Sequence, residues 1–353
     1  VAVSVAMGMT VFGCGGGGSG SDDGEPTVGT LAIVNTRAGD EANIAVIDYA
    51  SGDTYTDLLS VGGACDMTQY GDLVYIVDKT YDRIVKFDPV TRSMVSEMSM
   101  PAGCGPNSIV FASATKAYVT ASDLDENDVA NIYIIDPETM TLTGSIDISA
   151  YADDDGDPDQ YQAMIKGERL YVTLRRSSGR SLTDHSSLVV IDTTTDTVVD
   201  ELILQTNGVS GMAQDALGGQ TGGEDTCSGE IYVHVGGSMT IADDGAIEAV
   251  DATALTSSVV DTEVTYGGTI TTWVFDSNTT GWAIAGLSAD KGGEGFDLLR
   301  FDLDANTYTP VSTFQNQIYS YCLDYTDDGL LLVGDKDENT YGVRVYDSEN
   351  DYA

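Results

Sequence analysis

The chain has 353 residues, with 57 acidic against 15 basic side chains and a net charge of −42. Such a field repels nucleic acid and anionic lipid, which excludes a nucleic-acid partner and leaves a soluble surface, a cation-rich medium or a basic partner. A hydrophobic share of 42%, with 40 glycines and frequent Thr, Val, Tyr and Ile, suits many short strands joined by tight turns.

Val1 to Phe12 is an apolar run too short to span a bilayer. It reads as the h-region of a signal peptide whose basic start would precede Val1. The run ends in Val11-Phe12-Gly13-Cys14, which resembles a bacterial lipoprotein signal. That resemblance implies cleavage before Cys14, a lipid on Cys14, and a membrane contact through the lipid alone. Gly15 to Glu25, GGGGSGSDDGE, reads as a flexible tether. The expected organisation is therefore 1–13 signal segment, 14–29 lipidated cysteine and tether, and 30–353 folded domain. Two alternatives stand beside it: an incidental Cys in an unstructured N-terminus, and an apolar strand that pairs with a neighbouring molecule.

From residue 30 onward one element recurs, an apolar strand ending in Asp, a turn, and another strand. It appears at Asp48, Asp88, Asp136, Asp192, Asp251, Asp302 and Asp347, at spacings of 40, 48, 56, 59, 51 and 45 residues. A period near 50 fits a four-stranded propeller blade. A Tyr-Val type strand precedes most copies, as in LVYIVD from Leu73, KAYVTA from Lys116 and RLYVTL from Arg169, and an inner strand precedes that one. The expected fold is all-β, a seven-bladed β-propeller of four-stranded antiparallel blades. The recurring Asp is read as a turn marker whose carboxylate accepts backbone N–H groups two or three residues on. Seven anchors call for 28 strands, and about 26 can be placed. The first blade lacks its inner strand and the last its outer one. An incomplete or irregular closure follows, through missing termini, through the tether and tail, or through another chain.

The strands AYVT at Ala117–Thr120 and LYVT at Leu170–Thr173, with their IDPET and IDTTT hairpins, resemble the YVTN-type propellers. These include the YncE-like proteins and their surface-layer or lipoprotein relatives. The resemblance covers about residues 30 to 350. It implies an extracytoplasmic propeller, lipid-anchored at the outer surface or in the periplasm, that meets a protein or glycan.

Candidate sites are few. Asp153, Asp155, Asp157 and Asp159 alternate around Gly156, a pattern that supplies the oxygens a hard cation such as Ca2+ takes. The alternative is a solvated acidic loop, and no Glu completes an EF-hand. Arg175, Arg176 and Arg180, with Lys166 and Arg169, put a third of all bases within fifteen residues. They are read as an anion site or as a counterweight to the acidic loop. Gln69, Asn107, Tyr161, Trp273 and Tyr321 are the candidates for a ligand at the channel mouth. Cys65 and Cys104 lie in equivalent loops of adjacent blades and form a candidate disulfide pair. No Gly-x-Ser-x-Gly, phosphate loop or His-centred nucleophile pair occurs, and there are only two histidines, His185 and His234. The leading expectation is a binding or scaffold module without catalytic activity. A Ca2+-dependent propeller hydrolase or lactonase, and a filament or surface-layer subunit joined through an open blade edge, are the alternatives.

Overall fold

In each repeat the Tyr-Val strand is buried along nearly its whole length, whereas the strand after the Asp turn is largely exposed. A strand covered on both faces needs apolar residues at consecutive positions, and one at a rim needs only an occasional one. A computed structural model shows how this pattern stacks. It describes residues 4–11, 31–38, 41–62, 65–121, 130–153, 156–178, 181–182, 185–206, 209–214, 231–235, 245–268, 270–286, 296–314, 323–326, 329–337 and 340–347.

Seven antiparallel sheets form the blades. Blade 1 holds β1 (Ser4–Val11), β2 (Leu31–Ala38), β3 (Glu41–Asp48) and β4 (Thr54–Gly62). Blade 2 holds β5 (Cys65–Tyr70), β6 (Leu73–Asp78), β7 (Arg83–Asp88) and β8 (Ser93–Ser99). Blade 3 holds β9 (Pro106–Ser113), β10 (Lys116–Ala121), β11 (Asn131–Asp136) and β12 (Thr141–Asp147). Blade 4 has β13 (Gln160–Lys166) and β14 (Arg169–Leu174), then a small ribbon of β15 (Ser177–Ser178) and β16 (Ser181–Leu182), then β17 (Ser187–Asp192) and β18 (Thr197–Ile203). Blade 5 holds β19 (Val209–Gln214), β20 (Ile231–Val235), β21 (Ala246–Asp251) and β22 (Thr256–Thr262), and the short helix α1 (Glu263–Tyr266) leads out of it. Blade 6 holds β23 (Ile270–Phe275), β24 (Thr280–Gly286), β25 (Phe296–Asp302) and β26 (Thr307–Phe314). Blade 7 has three strands among the described residues, β27 (Leu323–Tyr325), β28 (Leu330–Asp337) and β29 (Thr340–Asp347).

Seven apolar cores fill the seven gaps between consecutive blades, including the gap between blades 7 and 1. The inner strands touch in sequence all round the axis, and β1 touches both β5 and β27. The ring thus closes by packing, and among the described residues no sheet spans the seam, as the irregular closure anticipated. One expectation changes. Blade 1 does not begin at its second strand, because Ser4–Val11 pairs with β2 and supplies the inner position. Among the described residues the seam core comprises Ala32, Val34, Ala45 and Leu332, with Ile47, Tyr49 and Val343 packed against it, and the gap between blades 1 and 2 buries eleven side chains, Phe87 and Ile44 among them.

The Asp turns behave as turn markers. The carboxylate of Asp48 accepts from the backbone N–H groups of Ala50 and Ser51, Asp88 from Val90 and Thr91, and Asp136 from Glu138 and Thr139. Asp192, Asp251 and Asp302 repeat the arrangement, and the residues after Asp347 lie outside the described set. These bonds hold Asp136, Asp192 and Asp251 below the usual carboxylate range. Four residues past each of these six acids the backbone is left-handed, at Gly52, Arg92, Met140, Asp196, Leu255 and Asn306.

The Tyr of the Tyr-Val strand is a strap between blades. Tyr75 in blade 2 donates to the carbonyl of Pro137 in blade 3, and Tyr118 in blade 3 donates to Asp196 in blade 4 at 2.5 Å. Lys86, Lys116 and Arg169 reach the same turns of the next blade, at Pro137, Asp196 and Ala252.

Candidate functional site

Inner strands line a propeller's axis, so their polar residues are the first place to seek a ligand site. In blades 2 to 4 these groups bond across to neighbouring blades. Thr68 donates to the carbonyl of Ile109 at 3.3 Å, and Gln160 to that of Asn131 at 2.8 Å. The Asn107 amide and the Thr120 hydroxyl both donate to the Tyr161 carbonyl, at 2.8 and 2.7 Å. The guanidinium of Arg175 sits 5.3 Å from the Tyr161 ring centroid, a cation–π distance. Asn107, Tyr161 and Arg175, three residues singled out from sequence, therefore form one contiguous wall. Gln69 folds back on the carbonyl of Gly71, and Tyr321 lies outside the described residues.

A group that sequence reasoning passed over stands on the same side of the ring. Asp66 is the second residue of β5, and burial lifts its carboxyl to about 6, against a smaller lowering by the Met67 N–H it accepts at 2.9 Å. One aspartate in a chain so rich in acids gives no signal of its own; its position at the start of an inner strand is what sets it apart.

The other predicted sites are dispersed. In the acidic loop the backbone closes on itself, with Gly156 N–H donating to the Asp153 carbonyl and Asp159 N–H to the Asp157 carboxylate at 2.9 Å. Asp155 lies outside the described residues, and among the described residues no three His, Cys, Asp or Glu side chains gather as metal ligands. The basic island separates into different contacts: Arg176 pairs with Glu201, Arg169 bonds to blade 5, and Arg180 lies outside the described residues. Cys104 is half-buried against the core between blades 2 and 3. The Cys65 side chain and Cys14 fall outside the described set.

Trp273 belongs to a different wall, between blades 5 and 6. Its ring lies 6.2 Å from that of His234, which in turn lies 6.4 Å from Tyr266. His234 is 2% exposed, and burial drops its pKa to about 3, so the imidazole is neutral at physiological pH. Burial is also the main cause that pushes the Tyr266 phenol above the usual tyrosine range. The Tyr266 hydroxyl and the Trp273 indole N–H find no acceptor among the described residues. An acceptor brought to this wall would satisfy them.

Three further shielded carboxylates hold the fold together. Glu248 is fully buried and accepts from the N–H groups of Gln205 and Thr206 and the hydroxyls of Thr206 and Ser257. Asp78 accepts from Gly62 N–H and pairs with Arg83 at 2.9 Å, and Asp276 holds Trp282 Nε1, Thr280 and Arg300. Each of these three pins a loop or a neighbouring strand.

With this geometry in hand, the chain can be set beside known proteins. No protein-family model matches it, and no curated protein matches its sequence. A chain of Kuenenia stuttgartiensis hydrazine synthase superposes with a TM-score of 0.64 at 14% identity, covering 91% of this chain and 93% of that one. The likeness is one of fold alone. The chain is a seven-bladed β-propeller. As many as 1032 solved chains match in structure, so the architecture is too widespread to select an activity.

Proposed function

We propose that the chain is an exported, surface-anchored β-propeller of the YVTN lipoprotein type that binds a protein partner through its acidic surface and has no catalytic role. The observation that carries this reading is where the bases go. Arg83, Lys116, Arg176 and Arg300 pair with acids of the propeller, Lys86 and Arg169 bond to its carbonyls, and Arg92, Arg175 and Arg344 lie over its rings. Nine of the 15 bases are thus spent on holding the fold, against 57 acids in the whole chain. What remains outside is a nearly uncompensated negative field, which steers a basic protein surface and repels acidic ones.

Cross-linking and mass spectrometry of a native membrane preparation should identify a protein with a basic face. Its affinity for the purified propeller should fall at least roughly tenfold between 50 and 300 mM salt, since exposed charge pairs are screened over that range. A salt-insensitive complex, or a neutral glycan as the sole captured species, contradicts the reading. The anchor is tested separately: Cys14→Ser should abolish fatty-acid incorporation and release the protein from membranes.

We also propose a second reading, a subunit of a larger assembly joined along β29. Among the described residues β29 is the outermost strand of blade 7, and Val345 is 45% exposed there. Its register counterparts Val46 and Val190 are fully buried in blades whose fourth strand is present. An uncovered strand edge is a template for pairing. Native material that runs as a strict monomer in size-exclusion chromatography contradicts this second reading.

A further inference from the structure

The apolar run at the N-terminus has two incompatible uses. As an export signal, on the reading proposed above, residues 1–13 are cut off before Cys14. In the fold, Ser4–Val11 is the inner strand of blade 1, and besides β2 it touches β5, β27, β28 and β29. It is therefore the element that links blade 2 to blade 7 along the axis, at the seam between the last blade and the first.

Its ladder is that of an ordinary inner strand. The β1–β2 ladder pairs Ser4 with Arg37 and Val5 with Thr36, then shifts register before Met9↔Val34, Thr10↔Ile33 and Val11↔Ala32, as the inner ladders of blades 3 to 6 also shift. The covalent link is what sets this strand apart. Blades 2, 3 and 4 join inner to second strand through two residues each, whereas residues 12–30 put nineteen between β1 and β2, with the Gly-Cys and the glycine run among them. A cut there separates β1 from the ring without touching another strand.

We infer that the inner edge of β2 is a strand-accepting site in the axis of the propeller, filled in the uncut chain by its own Ser4–Val11 and, once the chain is cut before Cys14, open to exchange of that strand for another. The site takes one extended segment of small and apolar residues, which adds to β2 by backbone hydrogen bonds between β5 and β27. Filling it completes the circle of inner strands between β5 and β27, so strand binding and ring integrity are coupled.

The test starts from the folded full-length chain, with a protease recognition sequence in the glycine run Gly15–Gly18. After cleavage the N-terminal fragment should co-elute with the propeller in gel filtration. An excess of labelled SVAMGMTV peptide should replace it, and a peptide carrying T10P should compete at least roughly tenfold less well, since proline removes a ladder donor. On displacement without replacement, the amides of Leu31–Ala38 should lose protection from hydrogen exchange and the melting temperature should fall by roughly 5 °C or more. A fragment that separates at once with no change in either measure overturns the inference, as does a fragment that no peptide can replace. The intact mass of the protein from an exporting host reports on the cut alone. Retention of residues 1–13 sinks the export reading and leaves the exchange experiment to decide the strand site.

Discussion

At the scale of single residues, the left-handed position after each Asp turn shows a local rule met unevenly. Gly52 meets it with φ +80, and a Cβ placed there would touch nothing within 4 Å. The cost of Gly52→Ala is therefore backbone strain alone, about 1 kcal/mol, read as a lower denaturant midpoint with an unchanged slope. Asn306 meets the same demand at φ 51 while exposed, so Asn306→Gly should be neutral or stabilising by up to about 1 kcal/mol. Two other residues oppose each other in pH. Asp66 titrates near 6 folded and 3.8 unfolded, so between those values the folded chain holds the extra proton and stability falls as pH rises. His234 titrates near 3 folded and 6.5 unfolded, so there the unfolded chain holds the extra proton and stability rises with pH. Asp66→Asn removes the first effect only. The variant should be more stable than the parent at pH 7.5, by roughly 1–2 kcal/mol given the partial exposure of Asp66, and should lose stability more steeply on acidification from pH 6 to 4. Parallel curves for the two proteins would show that Asp66 is not shielded.

At the scale of elements, the repeat was legible because one physical demand recurs. A strand covered on both faces must be apolar at successive positions, and the Asp after it must cap a tight hairpin; both leave a mark in the residues. The Tyr of that strand looked like part of the signature and is in fact the strap to the next blade. Tyr118→Phe should cost about 1 kcal/mol in chemical denaturation, because Lys116 still pairs with Asp196 and only the phenol's bond is lost. The candidate ligand residues read less well. Asn107, Tyr161 and Trp273 stand out for their place on inner strands, but pairing between blades depends on how each blade is rotated against the next, which no single repeat encodes. Asn107 and Tyr161 do meet, as partners of each other. The inner strand of blade 1 escapes the sequence for a related reason: Ser4–Val11 has the composition of a secretion signal, nineteen residues separate it from its β2 partner, and only the ladder to β2 identifies it as a strand.

At the scale of the whole molecule, the ring is a circle of seven packed interfaces, and among the described residues no sheet locks it shut. Where closure rests on side-chain packing, the junction of blades 7 and 1, which no inter-blade connection crosses, opens first. The acidic surface adds outward repulsion all round, so the ring leans on its interior contacts rather than on surface ion pairs. Native-state hydrogen exchange on the full-length chain tests this most directly. Amides of Leu31–Val34 and Leu331–Val333, on either side of the seam, should exchange through a local opening of lower free energy than those of Leu170–Leu174 and Leu188–Ile191 in blade 4. Equal protection across the ring, or earlier opening in blade 4, would contradict a propeller closed by packing at the junction of blades 7 and 1.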